Sequence, residues 1–267
     1  YLGESDPYRQ HIVCLDKTDD IENVIVEWYD TEREMVHGWI KEVIRSDCDI
    51  ITGYNIFFFD EPYIHDRCEE HLNLMHEIIK MSKLKNYECR YRDFKLASSA
   101  LGENRIRMFD TPGRIHIDLM KDVQRTYKLG SYKLDLVSAH FIRGKIEKIK
   151  VKNKYMDLYC KCIDDIYVND FIHIELVYDF VSDYIGKKYK IVKIDKENKI
   201  LTINKSEYLD EYITNSMLWW SQAKDDVGPK DIFRLFKGSS KDRAIVAKYC
   251  VKDCRLVNLL INKLEVV

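Results

Sequence analysis

The 267 residues carry a formal net charge of −2, with 46% hydrophobic and 33% charged residues. That balance fits a folded globular protein and excludes disordered and collagen-like chains. No apolar run approaches the roughly 20 residues that cross a bilayer and no basic-then-apolar leader opens the chain, so the sequence reads as intracellular, in nucleus or cytoplasm, with no membrane partner. A charge near zero also means that any nucleic-acid footprint has to be local. The eight cysteines lack the paired Cys-x-x-Cys blocks of a zinc site, and neither structural zinc nor a disulfide framework is expected.

The opening "YLGESDPYRQHIVCLDK" has no start methionine and reads as an excised fragment with something missing upstream. It enters a strand over 10–15, and 23–28 alternates well enough for a second; "KTDDIEN" between them is turn-like, so the pair is expected to be a hairpin. In "DTEREMVHGWIKEVIRSD", Thr31 and Glu34 form a capping box, and Met35, Val36, Trp39, Ile40, Val43 and Ile44 share one helical face. "CDIITGYN" reads as a short buried strand, and Glu61-Pro62 opens a helix running toward Lys80. "RIRMFDTPGRIHIDL" suggests a hairpin turning at "DTPG", followed by a helix from about Asp118. "KLGSYKLDLVSAHFI" reads as two short helices around a Gly-Ser break. From about 148 to 226 the chain is rich in Tyr, Ile, Val and Lys, and "KKYKIVKIDKENKILTINK" alternates with period two around "KEN". That stretch reads as a small β-rich insertion. "GPKDIF" marks the return to the main domain, and a long helix over 241–264 closes the chain. Three segments result: 1–147, the insertion 148–227, and 228–267. The element order indicates an α/β fold with a mixed sheet flanked by helices.

Two acids stand out. Asp60 lies where a strand hands over to a helix, whose free N–H groups favour an ionised carboxylate, and such an oxygen suits magnesium. Tyr249 and Asp253 in "YCVKD" are four residues apart on one helical face, so a phenol and a carboxylate can share a cleft. Phosphodiester hydrolysis uses metal-held hydroxide and steadies the leaving oxygen, which such groups could support. The residues alone fit other roles equally: an Asp before a Pro-started helix is often only an N-cap, and a Tyr–Asp pair at this spacing is often a surface pair.

Longer blocks carry a resemblance. "DTEREMVHGWIKEVIRSDCDIITGYNIFFFDEPYIHDR" resembles the second exonuclease motif of family B DNA polymerases, and "DRAIVAKYCVKDCRLVNLL" resembles the third, Tyr-x-x-x-Asp. "KLASSALGEN", "GRIHIDLMKDVQRTYKLGSYKLDLVSAHF" and "GPKDIFRLFKG" follow the family in the same order, so the resemblance covers roughly 1–145 and 228–267. The insertion is most similar to polymerases of large double-stranded DNA viruses. The resemblance implies a ribonuclease H-like 3′–5′ proofreading exonuclease domain of a DNA-directed DNA polymerase acting in replication. It implies two Mg2+ ions, with Mn2+ as the substitute, held in part by Asp60 and Asp253. Tyr249 would orient the attacking water, and Asn55 and Phe59 would shape the cleft around the terminal nucleotide. The implied partners are primer-template DNA, its single-stranded 3′ end, the rest of the polymerase chain and, as a further candidate, a processivity factor.

The sequence also departs from that family. The first motif, Asp-x-Glu on a leading strand, is matched only by Asp20-Ile21-Glu22, which lies in a turn without the preceding apolar strand. It reads as a decoy, with the true acids upstream. The polymerase signatures are absent too, so the fragment alone is expected to be inactive. The alternative is a non-catalytic module that binds single-stranded DNA or packs against the polymerase body. Residues 83–107, with seven Lys or Arg against three acids and interleaved rings, read as a single-strand track or a solvated loop. Arg143 to Lys154, with six basic residues and one acid, reads as a strand edge guarded by lysines or as a DNA contact. Arg114 and Asp118 read as structural, and Trp219-Trp220 as core of the insertion.

Overall fold

The computed structural model describes residues 9–98, 102–178, 181–212, 217–224 and 227–267. In chain order its elements are β1 (His11–Leu15), β2 (Ile25–Tyr29), α1 (Glu32–Ser46), β3 (Ile50–Gly53), α2 (Asp60–Arg67), α3 (Met75–Ile78), β4 (Arg90–Ser98), β5 (Gly102–Asp110), β6 (Ile115–Asp118), α4 (Leu119–Thr126) and α5 (Leu134–Phe141). There follow β7 (Arg143–Val151), β8 (Tyr155–Cys160), β9 (Phe171–Tyr178), β10 (Val181–Tyr184), β11 (Tyr189–Asp195), β12 (Ile200–Asn204), β13 (Leu218–Ala223), α6 (Pro229–Phe236) and α7 (Ser240–Lys263). Chain packing divides them into two units. One takes the chain up to Gly130 with Val227–Ile261, and the other takes Ser131–Asp226 with Asn262–Glu265.

The first unit is α/β. Helix α1 starts as its sequence predicts: the Thr31 side chain accepts from the Glu34 backbone N–H at 3.2 Å and donates to the Glu34 carboxylate at 2.8 Å. Its Ile40 and Val43 pack into a core with Leu74, Ile78, Met81 and Phe109. Among the described residues the strands form three separate pairs rather than one continuous mixed sheet. β1 and β2 run parallel, with His11 opposite Ile25, which corrects the expected hairpin. The connection between them contains two left-handed residues, Asp16 and Asn23, and a local Ile21–Val24 bridge, so the chain reverses twice before pairing.

Two further expectations are corrected. "DTPG" is a turn, with Arg114 N–H bonded to Thr111 O at 2.9 Å, but it joins strands of different pairs. β5 pairs antiparallel with β4, and β6 pairs parallel with β3. Gly113 has φ +84°, and a Cβ there would meet Lys83 Cβ at 2.8 Å. Buried Arg114, bonded to the carbonyls of Met81 and Cys48, holds the exit direction. The helix from Glu61 does not run on to Lys80: α2 ends at Arg67, a wide turn follows, and Asn73 adopts φ +50°, a left-handed stop. Only one helix, α5, forms in "KLGSYKLDLVSAHFI", because 127–133 stays irregular.

The second unit is built on antiparallel strands in the order β10-β9-β11-β12-β8-β7-β13, and an additional β9–β13 pairing closes six of them into a ring. Alternate residues of β8 and β12, Met156, Leu158, Leu201 and Ile203, fill its interior with Ile146, Ile172, Ile174, Ile191 and Trp220. The Trp220 indole N–H donates to Cys162 O at 3.0 Å, so this large ring is buried with its polar atom satisfied. β7 crosses position 147 without a break. Among the described residues no helix is long and apolar enough to cross a membrane.

Candidate active site

Asp60 owes its position to a loop pinned by a second acid. β3 and β6 run side by side with Gly53 opposite Asp118, so both carboxyl ends open at the same place. Beyond Gly53 the chain folds tightly back: a Cβ on Gly53 would lie 2.5 Å from Ile56 Cγ2, and Asn55 adopts φ +66°. Asp118 Oδ1 accepts from the N–H of Asn55 at 2.8 Å and of Met120 at 3.0 Å, while Oδ2 accepts from Phe57 N–H at 3.2 Å. The same carboxylate therefore caps α4 and shapes the 54–59 loop that delivers Asp60 to the first position of α2. Sequence reasoning assigned Asp118 only the cap.

The loop sorts its rings. Ile56 and Phe57 are buried, whereas Phe58 and Phe59 are about two-thirds exposed, at 63% and 66%. Phe59 lies nearly parallel to Tyr63, with ring centres 6.4 Å apart. Asp60 stays accessible to solvent, yet surrounding protein desolvates its carboxyl and raises its pKa against the favourable pull of its own backbone N–H. The nearby charges of Asp118 and Glu61 push it the same way. Burial likewise raises Asp118, opposed by its three backbone donors.

Glu61 is a residue that sequence reading left without a role. Its buried carboxylate accepts from Phe109 N–H at 2.6 Å and meets His116 Nδ1 at 2.8 Å; His116 Nε2 in turn lies 3.1 Å from Thr111 Oγ1. The first turn of α2 is thus tied to β5 and β6 beside Asp60. No spacing in the sequence announces these partners, because they lie 48 and 55 residues away.

Tyr249 and Asp253 sit four residues apart on α7, both half-buried. The Cys254 thiol next to them has a raised pKa, through desolvation first and then through the negative charges of Asp253 and Asp60. Asp60 on α2 and Asp253 on α7 thus both push this thiol's pKa the same way. Asp20 and Glu22 are exposed and lie in the connection between β1 and β2. Asp19 N–H bonds to Ser240 O at 3.2 Å and Arg243 Nε to Lys17 O at 2.8 Å, which fastens their loop to the first turn of α7. Asp253 lies about 20 Å further along that helix at 1.5 Å per residue.

The donor set falls short of a two-ion centre by itself. Asp60 and Asp253 offer hard oxygens, the oxygens of Asp118 are occupied by backbone donors, and among the described residues no group of three or more His, Cys, Asp or Glu is disposed to hold a metal. In the basic stretch 83–107, Arg105 and Arg92 pair with Asp93 and Asp110, and Tyr91 stacks on His65.

Comparison with known proteins adds to this geometry. Residues 1–137 match the family described as DNA polymerase family B, exonuclease domain. A DNA polymerase of Pyramimonas orientalis virus is 42% identical over 257 residues, covering 96% of this chain and 20% of the relative. A DNA polymerase of Phaeocystis pouchetii virus is 30% identical over 89% of the chain and 24% of its own length. The DNA polymerase delta catalytic subunit of Oryza sativa subsp. japonica is 35% identical over 147 residues, 55% of the chain and 13% of the subunit. The chain spans about a fifth of the length of the viral relatives it matches.

Proposed function

This chain belongs to DNA polymerase family B, in the exonuclease domain, and on that basis we propose that it forms the ribonuclease H-like part of a replicative polymerase that removes mispaired nucleotides from a primer 3′ end. The observation that supports the reading is the loop pinned by Asp118, which sets Asp60 at the first position of α2 within the stretch that matches the family. Asp60 and Asp253 each contribute a carboxylate ligand to divalent ions, Mg2+ or in its place Mn2+. The chemistry such ions would supply when bound is a hydroxide at neutral pH and neutralisation of charge on the leaving oxygen. Tyr249, one turn before Asp253, holds the attacking water by its phenol. Phe59, two-thirds exposed, offers a face to the terminal base, and Asn55 keeps the loop in its left-handed turn. Two carboxylates are half of what a two-ion centre needs, so the isolated chain binds DNA without trimming it. The remaining acids come from outside the described residues. The partners are primer-template DNA, its frayed 3′ end, the rest of the polymerase chain and a processivity factor, all inside the cell; the insertion in this domain is the Ser131–Asp226 unit, since β7 runs across the expected boundary at 147.

The test is trimming of a 3′-mismatched primer by the full-length polymerase. Asp60→Ala and Asp253→Ala should each reduce trimming by at least a hundredfold while extension of a matched primer persists, and Tyr249→Phe should reduce it less. If both alanine variants trim like the parent, the assignment fails. A protein that binds the strand with steep salt dependence yet never trims would instead be the non-catalytic module.

A further inference from the structure

The second unit presents a basic sheet face for which the exonuclease reading has no use. Lysines on β7 could be explained as guards of a sheet edge, but β7 is no edge: it lies between β8 and β13 in the closed ring. Its cations need another reason. Before residue 147 the inward positions of β7 are even (Gly144, Ile146), and after it they are odd (Ile149). A bulge between Ile146 and Lys148 makes the switch. Without that extra residue Lys148 and Lys150 would point into the barrel. β11 repeats the device, with a bulge between Ile191 and Lys193 that leaves Ile191 inside and both Lys190 and Lys193 exposed.

Two rails of lysine result, on strands separated by β8 and β12. Lys150 stands opposite Asp157, Asp157 opposite Thr202, and Thr202 opposite Lys193, which places the rails about 14 Å apart at the usual strand spacing. Between them the outward residues of β8 include Tyr155, 44% exposed, and Tyr159, whose ring lies 5.0 Å beneath Lys150 Nζ. The acid in the middle, Asp157, is buried and already engaged by Thr202 Oγ1 at 2.8 Å and by Lys152, so it offers little repulsion. Glu147 precedes Lys148 in the β7 bulge, and Asp195 shares the cross-strand row of Lys148 and Tyr159, but the Asp195 carboxylate is taken up by Asn198.

We propose that this face of the 131–226 unit binds single-stranded DNA, with phosphates on Lys148, Lys150, Lys190 and Lys193 and bases against Tyr155 and Tyr159. Cations flanking sequence-tolerant rings are what a single strand requires, whereas the paired bases of a duplex hide the faces that would stack. Lys150 swings from the Tyr159 ring onto a phosphate and bares the ring. The inference does not depend on the metal chemistry assigned to Asp60.

The experiment uses the 267-residue chain in EDTA with a 5′-fluorescent oligothymidylate, reading anisotropy against salt. Changing the four lysines to glutamine should weaken binding at least tenfold and reduce the slope of log K against log salt by about 2.8, at about 0.7 per phosphate on single strands. Arginine at the same four positions should restore both. Photocrosslinking of a 4-thiothymidine oligonucleotide should mark the peptide containing Tyr155 and Tyr159. An unchanged slope in the glutamine variant, adducts confined to other strands, or equal competition by a duplex of the same length each overturns the proposal. A variant of Asp60 should leave the crosslink in place, so failure of the exonuclease reading and failure of this one are told apart.

Discussion

Asp118→Ala should loosen the loop that carries Asp60 and uncap α4. The carboxylate accepts from Asn55, Phe57 and Met120. Losing the α4 cap costs about 1 kcal/mol. Each of the other two donors, left in a partly or fully buried place without a partner, costs about 1–3 kcal/mol. Part of this is offset, because a carboxylate whose pKa is raised by burial is itself unfavourable there. The net expectation is about 3 kcal/mol, felt first in local opening of residues 54–59. Native-state hydrogen exchange reads it directly: protection of the Asn55, Phe57 and Met120 amides should fall about a hundredfold, at about 1.4 kcal/mol per factor of ten. The Asp60 pKa should fall as well, since Asp118 is one of the charges that raise it. Protection of all three amides within threefold of the parent would refute the reasoning.

Three other outcomes follow from named contacts. Asp60→Asn should raise the unfolding midpoint at neutral pH: with a folded pKa above the unfolded one, the native chain holds a proton that the unfolded chain has lost, so stability falls as pH rises through that window and stays lower above it. The gain should vanish in acid below both values, and a pH-independent difference would sink the idea. Glu61→Ala leaves Phe109 N–H and His116 Nδ1 without their partner and should destabilise the fold by about 2–4 kcal/mol, measured by urea unfolding, with Glu61→Gln recovering part of the loss. Thr31→Ala should cost about 1 kcal/mol by the same measurement, because the cap at the start of α1 is solvent-exposed and local.

What the sequence made legible were features written within a few residues. The Thr31–Glu34 box, the β11–β12 hairpin around Asn198 and the long α7 each depend on neighbours at fixed offsets, and all three appear where their patterns place them. The family blocks likewise pointed to Asp60 and to the Tyr249–Asp253 pair, and the structure puts Asp60 at the first position of a helix. What stayed hidden depends on distance along the chain. Asp118 reaches back 63 residues to Asn55, and Glu61 forward 55 to His116, so no local pattern could disclose either. Strand direction was misread for β1 and β2 because a turn-rich connection does not say how many times the chain reverses. The closure of β9 on β13 is likewise invisible to a periodicity that reports which face is buried but not which strand is the neighbour.

That closure bears on how the chain comes to fold. β13 pairs with β7 so that Ser221 stands opposite Arg143, and the barrel's entrance and exit are therefore adjacent. A contiguous, locally connected barrel can form while the surrounding unit is still unfolded, and afterwards it acts on that unit as a short connector rather than a tether of almost a hundred residues. Each halving of a flexible loop removes about 0.6 kcal/mol of closure entropy. Joining α4 to α6 through a finished barrel shortens the loop from about 100 to about 20 residues and therefore lowers by about 1.4 kcal/mol the cost of bringing α7, and with it Asp253, back to a loop laid down almost two hundred residues earlier.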